Sequence, residues 1–188
     1  DLYVFEQVCI LLRSELDRGV EPYPISVNLS RSYLNRPNFL DEFKNICKKY
    51  EVSPKYLELE LTESVMFENM DLLSEIINDM HDFGFTCSLD DFGSGYSSLN
   101  MLKSIPVDVL KLDREFFTEP EKTRARGTSV IESVILLAQK LNMKTVSEGV
   151  EKDWQIEFLR DAKCDMVQGF IFSKPVSMEK YEEMAFEQ

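Results

Sequence analysis

The chain has 188 residues, of which 44% are hydrophobic, and carries a net charge of −13 at pH 7. This length fits one domain with a sizeable core. The acidic balance argues against a nucleic-acid polymer as partner, because neutralising its phosphates needs clustered Lys and Arg. A small phosphate ester that binds through cations remains compatible with this charge.

Helical and strand-like segments alternate along the sequence. Helices are predicted over 2–19, 36–50, 70–83, 97–103, 124–141 and 153–162, and from Met178 onward. The apolar runs predicted to form strands are Ile25–Leu29, Leu57–Leu61, Phe85–Asp90, Val107–Leu112, Lys144–Ser147 and Asp165–Gln168. This alternation predicts a parallel sheet with helices on both faces. In the helix over 124–141, the stripe predicted to pack against the sheet is Val130, Val134, Leu137, Ala138 and Leu141.

Six strands of this kind fit either an open doubly wound sheet or part of a closed barrel. No GxGxxG or GxxxxGK[ST] motif follows the first strand, which removes the usual reason for an open nucleotide-binding sheet. We therefore predict an α/β fold of the TIM-like (β/α) barrel type. Such a barrel has eight strands, so residues 1–188 are interpreted as one domain that lacks its first two strands.

Polar side chains stand at the ends of these apolar runs. The carboxyl ends of parallel strands form one rim in a barrel, where catalytic groups from distant segments meet. Carboxylates, amides and a lysine on one rim indicate a hydrolytic site that uses divalent cations. The candidates are Asn28, Glu60, Asp90, Asp91, Lys111, Glu148 and Gln168.

Each candidate also has a purely structural interpretation. Asn28 alone is a common turn former, and Asp90 with Asp91 could form a simple Asx turn. Glu60 could belong to a solvated acidic run, and Lys111 could pair with Asp113. The joint placement at strand ends favours a site over these alternatives.

The four cysteines, Cys9, Cys47, Cys87 and Cys164, lie far apart without a CxxC motif. They are predicted to be reduced, buried thiols of a cytosolic protein. No signal peptide or apolar run of about 18 residues is visible. A cytoplasmic location is expected, with any membrane tether supplied by other parts of a longer protein.

Six motifs give the chain a family resemblance, in the order SVNLS, LELELTES, LDDFGSGYSSL, VDVLKLDREF, SEGVE and VQGFIFSKP. In order and spacing they resemble the EAL-domain phosphodiesterases, which hydrolyse cyclic di-GMP. The resemblance covers about residues 2 to 182. The Glu-Ala-Leu motif that names the family, whose glutamate is a metal ligand, is not in this sequence.

The resemblance implies a two-metal site with Mg²⁺ or Mn²⁺. The first ion is expected on Asn28, Glu60 and Asp90, and a second on Asp90 and Asp91. Lys111 is implied to hold the attacking water or to stabilise the developing charge. Glu148 is implied to bind metal or to accept the proton of the water, and Gln168 to orient the water or a phosphate oxygen.

The Gly-Ser segment after Asp91 is expected to be a substrate loop. In the family this loop closes over metal and substrate and contributes to dimer contacts, and the residue matching Glu63 anchors it. Asp113 and Glu151 are expected to steady the side chains that bind the ions. The loop residues are Phe92, Gly93, Ser94, Gly95, Tyr96 and Ser97.

Three functions follow as hypotheses. The first is hydrolysis of cyclic di-GMP to pGpG; the others are a cyclic di-GMP receptor that does not cleave, and a protein-interaction scaffold. The resemblance also implies a homodimer and additional sensory or GGDEF domains in the parent protein. An isolated chain of six strands is expected to aggregate or pair with another copy, and to hydrolyse slowly without the name-giving glutamate.

Overall fold

The computed structural model describes residues 1–34, 36–63, 70–93, 99–117 and 124–186. The strands are β1 (Ile25–Asn28), β2 (Leu57–Thr62), β3 (Thr86–Phe92), β4 (Val109–Leu112), β5 (Lys144–Ser147) and β6 (Met166–Val167). The helices are α1 (Leu2–Asp17), α2 (Arg31–Leu34), α3 (Phe39–Tyr50), α4 (Met70–Phe83), α5 (Leu99–Ser104), α6 (Arg124–Lys140), α7 (Asp153–Asp161) and α8 (Met178–Phe186). Short 3₁₀ turns lie at Pro54–Tyr56 and Arg114–Phe117.

The strands form one parallel sheet whose spatial order, β1-β2-β3-β4-β5-β6, is their order in the sequence. An open doubly wound sheet would reverse its strand order at a switch point, and this sheet does not. The arrangement is a half-barrel with helices around it. The predicted TIM-like (β/α) fold is therefore confirmed, and the open-sheet alternative is wrong.

The two faces of the sheet differ in polarity. On β2, the side chains of Leu57, Leu59 and Leu61 are fully buried beneath the helices, while Glu58 and Glu60 alternate with them. Because side chains alternate across a strand, both glutamates lie on the inner, concave face. The outer face is thus the apolar core, and the inner face is free to carry polar groups.

The outer core depends on aromatic packing between the first helices and the sheet. The rings of Phe5 on α1 and Phe43 on α3 meet edge to face with centroids 4.8 Å apart, and both are fully buried. Phe5 also contacts Phe85, just before β3, at 6.0 Å. Edge-to-face pairs at these distances stabilise beyond the area that they bury, so they fix α1 and α3 against the sheet.

Two helix predictions need correction. The predicted helix over 36–50 begins only at Phe39, because Pro37 and the left-handed Asn38 (φ 57°) break the chain after α2. On α6, Val130 is 47% exposed, whereas Ile131 and Ile135 are almost fully buried. The buried stripe is therefore rotated by one residue from the predicted one, although Val134 and Ala138 belong to both.

All four cysteines are free thiols, as predicted. Three of them, Cys9, Cys47 and Cys87, are buried, and Cys164 is half-buried. Burial raises the pKa of Cys164, which disfavours its thiolate. Among the helices of the described ranges, none combines the length and the apolar character that crossing a bilayer requires.

The central strand β4 allows a test of the outer core. Leu110 is fully buried, and truncating such a leucine costs about 3–5 kcal/mol through lost transfer energy and a residual cavity. Leu110→Ala is expected to lower the free energy of unfolding, measured by urea denaturation, by that amount. Leu136→Ala on α6, where the side chain is 52% exposed, is the matched control and should change it by less than about 1 kcal/mol. An equal loss of unfolding free energy in both variants would contradict the position of the core beneath β4.

Candidate active site

A buried lysine lies at the centre of the rim. The side chain of Lys111, on β4, is only 7% exposed. Its ammonium donates a short hydrogen bond to Glu60 Oε1 on β2 and lies 2.7 Å from Glu148 Oε1 after β5. Asp90 Oδ1 on β3 is 3.9 Å away. The structure thus brings together side chains from four strands at their carboxyl ends. Among the contacts of the described residues, Lys111 pairs with these carboxylates and not with Asp113.

Burial and hydrogen bonding shift the pKa of Lys111 in opposite directions. Burial lowers the pKa of this ammonium, but the hydrogen bonds to Glu148 and Glu60 outweigh it, so the pKa lies above its ordinary value of 10.5. Lys111 is therefore a permanent cation at neutral pH. A charged, nearly dry ammonium is suited to stabilising negative charge.

The paired aspartates sit on an irregular stretch of β3. The register with β4 shifts between Leu89 and Phe92, and Asp91 adopts a left-handed conformation with φ 56°. Such a bulge points neighbouring side chains in different directions. The backbone N–H of Asp91 donates to Asp90 Oδ1 at 2.9 Å, which orients that carboxylate.

The surroundings of Asp91 disfavour its ionised carboxylate. Burial raises its pKa, and the nearby negative charges of Asp90 and Asp113 raise it further. Glu148 acts in the same direction, while Lys111 lowers the pKa. The excess of negative charge here would be relieved by a bound cation.

Asn28 and Gln168 mark the two ends of the predicted rim. Asn28, the last residue of β1, is exposed and stands in register with Glu60. Gln168 follows β6, is exposed, and is held by its backbone N–H, which donates to Ser147 O at 2.8 Å. Both therefore lie where the strand-end pattern places them, on the edge strands of the sheet.

Glu63 contacts the start of the predicted substrate loop. Its side chain is buried, and Oε2 accepts a hydrogen bond from Gly93 N at 3.4 Å. Phe92, the first loop residue, is still part of β3 and is buried. Ser94, Gly95, Tyr96 and Ser97 lie outside the described residues, so the closing of this loop stays a prediction.

The two residues expected to support the site are placed differently. Asp113 directly follows β4, and its Oδ1 accepts a hydrogen bond from Glu115 N at 2.7 Å, which caps the 3₁₀ turn Arg114–Phe117. Glu151 is exposed, and its backbone N–H donates to Gln155 Oε1 at 2.9 Å at the start of α7. Their role in steadying metal ligands stays a prediction.

A cavity of about 550 Å³ opens beside the carboxylates. It shares Glu148 and Gln168 with the rim and continues to Arg114, Phe170 and Tyr181. These last three were not among the predicted site residues, because no strand-end pattern marks them. The volume falls within the range of small-molecule sites.

Close backbone contact joins the turns that border this cavity. The N–H of Val150 donates to Gln168 O at 3.0 Å, and the N–H of Ile171 donates to Val150 O at 3.2 Å. A Cβ at Gly169 would lie 2.0 Å from Val150 O. Only glycine permits this approach, so the glycine of VQGF is a structural requirement of the cavity wall.

The oxygen donors on the rim suit a hard divalent cation. In the arrangement described for residues 1–34, 36–63, 70–93, 99–117 and 124–186, no three carboxylate, histidine or cysteine side chains are grouped to hold an ion. The ammonium of Lys111 instead lies between Glu60 and Glu148. The rim therefore already holds one positive charge among its carboxylates.

Comparison with known proteins decides the family. The EAL domain family matches residues 1–175. This chain belongs to the EAL-domain family. The family match was predicted from the motifs and is confirmed.

Its relatives with assigned names include two proteins of Pseudomonas aeruginosa. This EAL chain is 37% identical to the cyclic di-GMP phosphodiesterase NbdA over 183 residues, which are 97% of the chain and 23% of NbdA. It is 34% identical to MucR, a bifunctional diguanylate cyclase/cyclic di-GMP phosphodiesterase, over 95% of the chain and 26% of MucR. The chain thus spans about a quarter of the length of these relatives.

Solved EAL structures share the fold. The phosphodiesterase of MucR in complex with cyclic di-GMP superposes with a TM-score of 0.86 at 33% identity, covering 96% of this chain and 72% of that one. The EAL domain of Mycobacterium smegmatis DcpA gives a TM-score of 0.89 at 28% identity, over 98% of this chain and 83% of that one. The half-barrel is therefore an EAL fold.

The lysine at the centre of this EAL site allows a stability test. Lys111→Met leaves the Glu60 carboxylate buried without its cation, and removing one partner of a buried pair costs about 3–5 kcal/mol. The free energy of unfolding, measured by urea denaturation in EDTA, is expected to fall by that amount. The further change Glu60→Gln should restore part of it.

Lys140→Met, at the exposed end of α6, is the matched control and should shift the free energy of unfolding by less than about 0.5 kcal/mol. If the double variant is no more stable than Lys111→Met alone, the pairing with Glu60 does not explain the loss.

Proposed function

We propose that this chain is a metal-dependent phosphodiesterase that hydrolyses cyclic di-GMP to linear pGpG. The observation that carries the proposal is the position of Lys111, a buried cation among carboxylates from β2, β3 and β5. A relative named as a cyclic di-GMP phosphodiesterase aligns with 97% of the chain. The chemistry of the rim and the family membership therefore support the same reaction.

Two divalent ions, Mg²⁺ or Mn²⁺, are the proposed cofactors. We assign Asn28, Glu60 and Asp90 to the first ion, and Asp90 and Asp91 to the second, with Glu148 as a further ligand. When bound, such ions lower the pKa of a coordinated water and polarise the phosphate. Carboxylate and amide oxygens are the ligands that these ions prefer, and the charge excess around Asp91 favours binding.

The remaining side chains supply positioning and proton transfer. Lys111 donates hydrogen bonds to negative charge that develops on the attacking oxygen or on the phosphate. Glu148 lies 2.7 Å from that ammonium and is half-exposed, so it can accept a proton from the attacking water. Gln168 follows β6, which pairs with β5, and it lines the same cavity as Glu148. Its amide can therefore orient the water or a phosphate oxygen.

The cavity beside the rim is the proposed place for part of the nucleotide. Arg114 and Gln168 give it a cation and an amide, and the exposed ring of Phe170 gives it an aromatic face. Guanine bases stack on such faces, and arginine pairs with phosphate. The homodimer and the sensory or GGDEF domains expected from the sequence stay predictions.

The metal assignment predicts a change in thermal stability. Mn²⁺ at about one hundred times its Kd should stabilise the chain by about 2.7 kcal/mol, which corresponds to about 5–10 °C in Tm for a domain of this size. Asp90→Asn should abolish most of the gain, because it removes one charged ligand. Asp82→Asn, an exposed aspartate of α4, is the control and should keep the full gain. An unchanged gain in Asp90→Asn would remove Asp90 from the metal site.

The proton-transfer assignment predicts a selective loss of turnover. Glu148→Gln should lower kcat for pGpG release, followed by anion-exchange chromatography at saturating Mg²⁺, by about a hundred- to ten-thousandfold. Binding of cyclic di-GMP, measured by calorimetry, should persist. Glu132→Gln, an exposed glutamate on α6, removes the same charge and should turn over normally.

The unmodified chain distinguishes the enzyme from a receptor. Release of pGpG in the presence of Mg²⁺ or Mn²⁺ supports the phosphodiesterase. Tight binding of cyclic di-GMP without any release, with both ions present, would contradict it and support a receptor instead.

A further inference from the structure

A fully buried glutamate that does not belong to the rim lies in the last turn of α1. Glu15 has no exposed surface, and both of its carboxylate oxygens lack a hydrogen-bond partner among the described residues. Leu11, one helical turn earlier, is also buried, so Glu15 continues an apolar stripe of the helix. An ionised carboxylate in such a place is costly unless it is neutralised.

The helix that lies against this position is α8. Arg18 Nη2, just after α1, lies 2.7 Å from Glu182 Oε1 on α8. The ring of Tyr23 stacks on Phe186, with centroids 6.0 Å apart. These contacts place α8 beside the end of α1, and they are partly solvent-exposed, so the ion pair itself contributes little to stability.

A second buried polar group lies on α8. The hydroxyl of Tyr181 is buried and has no hydrogen-bond partner among the described residues. Burial raises the pKa of this hydroxyl, and the charges of Glu15 and Glu182 raise it further. Tyr181 therefore stays neutral, and it cannot compensate the charge of Glu15 as a cation would.

The ionisable groups that face Glu15 do not neutralise it either. Burial is the main cause that raises the pKa of Glu15, and Glu182 on α8 adds to it. Arg18 acts in the opposite direction but is already paired with Glu182. Tyr23 is the other titratable side chain close to Tyr181. The protonated, neutral form of Glu15 is thus the form that fits this contact.

This contact is connected to the candidate active site through the cavity. Tyr181, Met184 and Ala185 of α8 line the cavity, and Glu148 and Gln168 line it too. Displacement of α8 would therefore remove part of the enclosure beside the rim.

We propose that Glu15 makes the seating of α8 proton-dependent. A neutral carboxyl allows α8 to pack on α1 and close the cavity, whereas an ionised carboxyl drives water into the contact and loosens α8. The cavity would then be closed by α8 at low pH and more open at higher pH. This inference does not depend on the phosphodiesterase reaction.

The direction of the effect follows from proton linkage. The folded state holds the Glu15 proton more tightly than the unfolded chain, since the pKa of Glu15 is raised above its ordinary value of 4.5. The stabilising contribution of the neutral carboxyl is complete below the ordinary pKa and is lost as pH rises through the raised pKa. The contact between α8 and α1 should therefore weaken as pH rises from 4.5 through the raised pKa of Glu15.

Hydrogen exchange followed by mass spectrometry tests the proposal on the 188-residue chain. Protection of residues 178–186, corrected for the intrinsic pH dependence of exchange, should fall in the wild type by up to about tenfold per pH unit between the two pKa values of Glu15. Glu15→Gln keeps the shape without the charge. Its protection should stay constant over about pH 5 to pH 8.

Two further variants act as controls. Glu132→Gln removes one exposed carboxylate of α6 and should keep the wild-type profile. Tyr181→Phe removes the unpartnered hydroxyl and should raise protection at every pH while leaving its pH dependence in place, because Glu15 is still present.

Three outcomes would overturn the proposal. These are a wild-type protection that does not change with pH, a Glu15→Gln profile that matches the wild type, and a pH dependence that disappears in Tyr181→Phe. None of these outcomes bears on hydrolysis of cyclic di-GMP, so failure here and failure of the proposed function are distinguishable.

Discussion

The half-barrel is organised around one electrostatic constraint, the neutralisation of buried carboxylates by the ammonium of Lys111. Glu60 and Lys111 are both nearly inaccessible to water, and unpaired charges in such a position would cost several kcal/mol each. Because the partners come from β2, β3, β4 and β5, the strands must keep their register for the charges to balance. The same carboxylates are the ones that a divalent cation would bind.

This arrangement is possible because stability and chemistry occupy opposite faces of the sheet. The outer face buries Leu59, Leu89 and Leu110 under helices and contains the main hydrophobic core. The inner face can therefore carry Glu58, Glu60 and other polar side chains without a loss of core packing. A change on the rim alters the site and leaves the fold largely intact, except where it leaves a buried charge unpaired.

Local patterns in the sequence were enough to predict the sheet and the rim. Period-two alternation, as in LELELT, reveals strands, and parallel order brings their ends together, so the convergence of Glu60, Asp90 and Lys111 could be predicted. Contacts between distant helices have no such signal. The contacts of α8 with Arg18 and Tyr23, and the cavity wall at Tyr181, depend on packing between the two ends of the chain. The rotation of the buried stripe on α6 by one residue is also set by neighbours, not by periodicity.

The close approach of the turns after β5 and β6 has a mechanical consequence. The backbone of Val150 is hydrogen-bonded to both Gln168 and Ile171, and its carbonyl oxygen fills the space where Gly169 has no side chain. These contacts couple the positions of the two turns. A displacement of the Gln168 backbone would therefore be felt at Val150, two residues from Glu148, through a hydrogen bond of the main chain. Communication across this edge of the barrel is built into the peptide chain itself.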